Sequence, residues 1–392
     1  MARRRRQAGP DSRQFDLFTL APPATAPSLP TPTPATTTRL PTPPTAPRPT
    51  PAGGAAPQSQ PSPPLVDGDR KYKLTRRSAG DIAERAAETW HRRRVGDNLA
   101  IPLGIVAGLA LLGQTGTDGT DTTTFVLGLR KRELLKFHQR IWGYAWIRHP
   151  YLVEIARPIH EWLNEEKEPP AKVIDTVHAV THAALSSGLL AITGDPNPVM
   201  RCEADLLGML LSRLRSEGAR LALAEIHTPP DMADLIARIV FDCGDELKPG
   251  QWIDEPTAGT GGLLRSTALL MRMRGHDPHQ FGWSMGEIDP IAAACAAVNA
   301  IVWDLGGNVL IHVGDTLAIG NGPSRAYAHR KAVEAHHKEL VKDATTAARF
   351  MVAFRKLMTI VGEVEESSHQ RPRRPDPAGH LGAAVQAHIV RS

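Results

Sequence analysis

The sequence is poor in residues that staple a fold or span a membrane. It has three cysteines, Cys202, Cys243 and Cys295, in 392 residues. They stand about 40 to 50 residues apart with no C-x-x-C spacing, so neither a disulfide framework nor a thiolate metal site is expected, and a reducing compartment fits. His336 and His337 are neighbours and would point apart on a helix, so they do not suggest a metal site either. Long apolar runs are lacking too. The longest, Leu99 to Leu112, is 14 residues with Pro102, Gly104 and Gly108 inside it. A bilayer span takes roughly 20, so this run reads as a buried helix. The four arginines Arg3 to Arg6 are not followed by the apolar stretch of an export signal. The expectation is a soluble, cytoplasmic protein without a membrane partner. Aromatic residues make up only 5% of the chain. Five of them, Trp142, Tyr144, Trp146, Tyr151 and Trp162, gather in one stretch, where helical spacing favours a core role over base stacking.

The formal charge of +5 does not extend to the whole chain. Residues 1–70 carry a net +4, residues 71–95 a net +5, and residues 96–392 a net −4. The basic pI therefore describes the first quarter and does not mark the rest as a polyanion binder. That first quarter is rich in proline, with 17 of the chain's 34 lying in residues 1–68. Such a segment buries too little apolar surface to offset chain entropy, so residues 1–70 read as a disordered, Pro/Thr-rich basic arm. Its apolar patch, Phe15-Asp16-Leu17-Phe18, is either a short docking motif or an accidental cluster.

Residues 71–220 read as a helical domain. Apolar residues recur at helical spacing in Ser78–Trp90, Arg132–Trp146, Val173–Leu190 and Cys202–Leu221. The pattern changes after Leu221. Thr228 precedes Pro229 and Pro230, a good helix start, and Met232–Phe241 is amphipathic. Gln251–Asp254 reads as a strand running into Glu255-Pro256-Thr257-Ala258-Gly259-Thr260-Gly261-Gly262. Leu263–Arg274 reads as a helix, Gln280–Ile288 as a strand, Pro290–Ile301 as an Ala-rich helix and Val309–Val313 as a strand ending in Gly314-Asp315-Thr316-Leu317. This βαβαβ order is the unit of a doubly wound parallel sheet.

A Gly-rich turn between a strand and a helix lets backbone amides approach a ligand closely. An acid at the end of the next strand can accept hydrogen bonds from ribose hydroxyls, and Glu287 lies 25 residues after Gly262. The glycines fit neither G-x-G-x-x-G nor G-x-x-x-x-G-K-[ST]. An acid and a proline ahead of G-x-G suit a cofactor with a positive amino group and no pyrophosphate, S-adenosylmethionine. The stretch resembles the adenine-specific N-6 DNA methylases, in particular the modification subunits of type I restriction systems. That family has [FY]-T-P-P, D-P-x-x-G-[ST]-G-G, an acid ending strand two, and G-D-T-L. Here stand His227-Thr228-Pro229-Pro230, the Glu255–Gly262 stretch, Gly286-Glu287-Ile288-Asp289-Pro290 and Gly314-Asp315-Thr316-Leu317, in that order. Ala204-Asp205-Leu206-Leu207-Gly208 resembles the helix that leads into the first motif.

The resemblance implies a Rossmann-like S-adenosylmethionine-dependent α/β fold, incomplete here and preceded by the helical domain. Residues 221–323 would form the cofactor-binding domain, and residues 324–392 a helical C-terminal segment with a loose tail. Thr228 and Pro229 would shape the pocket around the methionine carboxylate, with Pro256 and Thr257 in the turn. Glu255 would meet the ammonium, Gly259 and Gly261 would give the close approach, Glu287 would take the ribose and Asp315 the adenine amine; for Asp315 a purely turn-forming role is the alternative. The implied activity is methyl transfer to the exocyclic amine of adenine in DNA, together with a separate specificity subunit. The alternative is an inactive relative that binds cofactor and DNA or a partner. The catalytic [DNS]-P-P-[YF] run, which holds the amine and stacks on the flipped base, is not found. Ala318-Ile319-Gly320-Asn321-Gly322-Pro323-Ser324 follows instead. Asn321 is the candidate for the polar residue and Pro323 for one proline, while Tyr327 lies three residues too late. A permuted order using Asp195-Pro196-Asn197-Pro198 would need strands where helices are expected.

Overall fold

The computed structural model describes residues 68–366 apart from 166, 217, 219–227, 244–247 and 319, and only the backbone of 68–74, 76, 77, 242, 243, 347, 348, 350 and 352–366. The arm up to residue 67, with its Phe15–Phe18 patch, lies outside the described residues, as do His227 and the tail from Ser367. Among the described residues no helix is long and apolar enough to cross a membrane.

Helices come first: α1 (Gly68–Arg93), α2 (Ala100–Ala110), α3 (Thr122–Leu127), α4 (Lys131–Arg148), α5 (Pro150–Ile155), α6 (Arg157–His160), α7 (Ala171–Ser186), α8 (Leu189–Thr193), α9 (Pro198–Arg201) and α10 (Leu206–Leu214). The last three residues of the segment read as an arm, 68–70, are thus helical. The single run expected over Val173–Leu190 is broken between α7 and α8, where Gly188 takes φ +91°, a left-handed turn that glycine adopts without strain. The run expected over Cys202–Leu221 begins only at Leu206, because the Asp205 side chain accepts the Gly208 amide and caps α10. The stretch Leu99–Leu112 is the buried helix expected: every residue of α2 is inside. Trp142, Tyr151 and Trp162 are buried and Tyr144 and Trp146 half-buried, which makes them core.

The second part is α11 (Pro230–Cys243), β1 (Trp252–Glu255), α12 (Gly262–Met273), β2 (Gly282–Glu287), α13 (Pro290–Val302), β3 (Val309–Val313) and α14 (Gly322–Glu366). The three strands form a parallel sheet in the order β1-β2-β3, with Glu255 opposite Met285 and Glu287 opposite Val313. Because all three strands run parallel, their carboxyl ends lie on one edge. Helix α13 has the sheet on one side and α2, α5, α6 and α10 on the other. Its small residues, Ala292 to Ala297, are all buried, which allows both layers to approach, and one hydrophobic cluster runs through helices and sheet alike.

The outer edge of β3 is closed by a side chain. The Tyr151 hydroxyl on α5 accepts the Ile311 amide at 2.9 Å and donates to the Ile311 carbonyl at 3.0 Å. Burial pushes this phenol up to about 12. Tyr151→Phe strands both backbone groups, and urea denaturation is expected to show a loss of about 1–3 kcal/mol.

Burial also lowers His138 and His160 from 6.5 to about 4. His138 lies 3.0 Å from the Thr181 hydroxyl, and His160 stacks on Trp142 while donating to the Val153 carbonyl. Both are neutral in the fold and protonate more readily once unfolded. Above about pH 6.5 neither affects stability; as pH falls from about 6.5 to about 4, each costs up to about 3 kcal/mol. The midpoint of thermal unfolding should therefore drop across that window, and less steeply in a His138→Gln variant.

Candidate functional site at the carboxyl edge of the sheet

The turn after β1 is shaped by its glycines. Gly259 takes φ +56° and Gly261 φ +93°, conformations that an L side chain adopts only with strain. A Cβ on Gly261 would sit 3.0 Å from the ring of Trp303, whereas one on Gly259 would meet nothing within 4 Å. Gly261 thus packs inward and Gly259 opens outward. Gly261 is the N-cap of α12 and provides no side-chain cap, so first-turn amides of α12 face the turn as donors for an anion.

Carboxylates hold the turn from two directions. Glu287 accepts the Gly259 amide at 2.7 Å and the Asp289 amide at 2.8 Å, one on each oxygen. From the helical side, Asp205 accepts the Thr260 hydroxyl, the Asn299 amide group at 2.9 Å and the Gly208 amide at 2.8 Å. One carboxylate therefore joins the cap of α10, the glycine turn and α13. Beneath α12, the buried guanidinium of Arg265 donates to the Cys202 carbonyl at 2.6 Å and pairs with Asp234 on α11 at 3.0 Å, and the Ser266 hydroxyl donates to that carboxylate at 2.6 Å.

A cavity of about 210 Å³ opens between α10, the start of α11 and the turn, lined among others by Asp205, Arg213, Thr228, Thr257 and Gly259. The structure thus brings Thr228, Thr257 and Gly259 to one cavity. Pro229 precedes α11 and is exposed. Glu287 stands at the turn, and Asp315 follows β3 on the same edge. The Asp315 carboxylate accepts the amides of Leu317 at 2.9 Å and Ala318 at 3.2 Å, a turn of the kind aspartate makes, and leaves its other oxygen outside those bonds. Thr316 donates to the Pro256 carbonyl at 2.9 Å, joining the ends of β1 and β3. Glu255 differs in place: it accepts the Thr257 hydroxyl at 3.1 Å and lines a groove between β1 and α11.

Asn321 is not brought to the cavity. It is exposed and its carbonyl accepts the Arg325 amide at 3.1 Å, so it opens α14. Tyr327 lies on α14, half-exposed, with Lys331 5.5 Å over its ring. Asp205, Asn299 and Arg265 received no role from the sequence, although each carried a signal. Asp205 is an N-cap three residues before a glycine, Asn299 is a polar residue in an alanine run, and Arg265 stands inside the apolar spacing of α12.

No curated protein matches the chain. Residues 205–329, from Asp205 through the glycine turn past Asp315, match the family described as N-6 DNA Methylase, which supports the adenine-specific DNA methyltransferase family that the motifs of this segment resemble.

Proposed function

We propose that residues 205–329 form a Rossmann-like unit that holds S-adenosylmethionine for methylation of the exocyclic amine of adenine in DNA, within a restriction-modification system that has a separate specificity subunit. The observation that carries this reading is the meeting of an open glycine turn with Glu287, Asp315 and the Thr228 cavity on one edge, the place where ligands bind in open α/β sheets. The donor set suits the cofactor. A carboxylate has about four acceptor sites, and the two amides on Glu287 leave room for both ribose hydroxyls. The free oxygen of Asp315 serves the adenine amine. Thr228 and the amides opening α12 serve the methionine carboxylate, and Glu255, by rotating from Thr257 toward the turn, serves the ammonium. Pro256 and Thr257 set the path of the turn, and Pro229 that of the entrance. When bound, S-adenosylmethionine supplies an electrophilic methyl group.

The chain's own residues then position the cofactor and exclude side reactions, but the amine needs acceptors and the base needs a ring. Helix α14 begins at Gly322, shortly after Gly314-Asp315-Thr316-Leu317, and neither Asn321 nor Tyr327 lines the cavity. We therefore favour a cofactor-holding chain that transfers no methyl group by itself. Labelled methyl transfer to adenine-containing DNA under saturating cofactor tests this. The expected result is no incorporation by the chain alone, and incorporation would overturn it. The basic arm adds an attraction for DNA phosphates that weakens with salt.

A further inference from the structure

Helix α14 begins shortly after the carboxyl end of β3 and packs on β3, β2 and α5, with Ala326 and Val333 buried on its inner side. Its outward side is sorted by charge. At about 100° per residue, Tyr327, Lys331, Lys338, Lys342 and Arg349 stand within a sector of about 60°. Between Gly322 and Arg349 the other members of that sector are Ser324 and Thr345. Lys331, Lys338, Lys342 and Arg349 are all exposed, and among the described residues none of them pairs with an acid. On one flank Glu334 is held by Arg330 at 2.6 Å. On the other, Glu339 and Asp343 stand about 60° and 100° beyond the sector.

This arrangement does not serve the helix itself. An exposed helix gains from opposite charges four residues apart and loses by like ones. Here Lys338 and Lys342 are four apart, and so are Glu339 and Asp343. Nor does the row suit a protein partner. Protein interfaces are depleted in lysine and centred on apolar groups, and the sector holds one aromatic ring and no Leu, Ile, Val or Met. A hydrated ammonium on a long stem suits a phosphate, which it meets as a point charge. From Lys331 to Arg349 the row covers about 27 Å, near eight base pairs of duplex at about 3.4 Å each. Tyr327, 52% exposed with Lys331 5.5 Å over its ring, stands at the end nearest the carboxyl edge of the sheet.

We propose that this row is the surface on which the folded body holds duplex DNA. Lys331, Lys338, Lys342 and Arg349 take phosphates along one side of the duplex, without regard to base sequence, and lead it toward Tyr327 and the carboxyl edge. Residues 96–392 carry a net −4, so the body as a whole repels a polyanion. The sorting of charge on α14 is what lets such a body touch one. The inference rests on the reading above only for the choice of DNA as the polyanion; the row itself owes nothing to the cofactor.

The test is the fluorescence anisotropy of a labelled duplex of about 16 base pairs, twice the span of the row, titrated with the full chain over a series of salt concentrations. The native chain is compared with two triple variants. One is Lys331→Gln with Lys338→Gln and Lys342→Gln. The other is Lys136→Gln with Lys167→Gln and Lys248→Gln, exposed lysines elsewhere whose loss changes the net charge equally. The row variant is expected to bind at least about tenfold more weakly at about 0.1 M salt. Its slope of log K against log salt should fall by about 2.7, about 0.9 for each phosphate contact. The control variant should stay within about twofold of the native chain. Equal weakening in both variants, or in neither, overturns the proposal and assigns DNA binding to net charge or to the basic arm. Glutamine keeps the helix propensity, so the melting temperature of the row variant should hold within about 3 °C. A larger fall would show these lysines to be structural and overturn the surface. Poly-L-glutamate in place of DNA tests an acidic protein as the partner. Binding to it that the row variant loses, with duplex binding unchanged, overturns the proposal as well. S-adenosylmethionine titration of the same three proteins separates the two readings. Cofactor binding without the effect of the row variant rejects the row alone, and that effect without cofactor binding rejects the cofactor reading alone.

Discussion

Gly259→Ala is expected to weaken S-adenosylmethionine binding at least tenfold while leaving the fold in place. The new methyl group meets no protein atom within 4 Å, so its only structural cost is the strain of φ +56°, about 1–3 kcal/mol. It projects from the outward side of the turn, where the proposed cofactor would approach the backbone, and a tenfold loss corresponds to about 1.4 kcal/mol. Gly261→Asp adds local crowding to local strain. At φ +93° its side chain must displace Trp303, which is fully buried, and detectable binding is expected to vanish together with several degrees of melting temperature. Calorimetric titration with a parallel thermal melt checks both variants. If Gly259→Ala binds as the native chain does, the open side of the turn is not a cradle.

The second large effect is on stability. Arg265→Met is expected to cost about 1–3 kcal/mol, because it takes a buried guanidinium away from the Cys202 carbonyl and from Asp234, a half-buried carboxylate that keeps the Ser266 hydroxyl. Arg265 is 2% exposed, and its loss leaves Asp234 and the Cys202 carbonyl without their guanidinium partner. Since Asp234 lies on α11 and Cys202 just before α10, the cavity wall should loosen with it, and cofactor affinity should fall in the same variant. Asp234→Asn combined with Arg265→Met should recover part of the stability, because the carboxylate charge that faced the guanidinium is then gone. Urea denaturation followed by circular dichroism reads both. Equal stability of the single and double variants would show that the Asp234 charge carries no penalty once Arg265 is gone.

The sheet region was legible because its signals are local. The glycine run, the acid at the end of β2 and the Val309–Val313 apolar run each fix a turn or strand within a few residues, and the three strands stand where their patterns lie. What sequence could not provide was direction. The stripe on α11 has the spacing of a core-facing helix, and nothing in that spacing tells that Ala233 and Ala237 face in while Ile239 and Val240 face out. The closing of β3 by Tyr151 joins residues 160 apart in the chain, and the Asp205–Asn299 bond joins residues 94 apart; contacts of that kind have no local pattern. The glycine turn itself gave Gly259 and Gly261 the same weight, and only the position of Trp303 shows that one packs inward and the other opens outward. The stretch after Asp315 carries no [DNS]-P-P-[YF] run, and in the structure Asn321 precedes a long helix that begins at Gly322.

On the reading proposed above, the carboxyl edge of this sheet is an S-adenosylmethionine site and not a dinucleotide or turn-only structure. Isothermal titration of the intact 392-residue chain tests it directly. Saturable heat with S-adenosylmethionine at one site per chain, and none with NAD, is the predicted result; no heat with S-adenosylmethionine, or heat with NAD in its place, would contradict it.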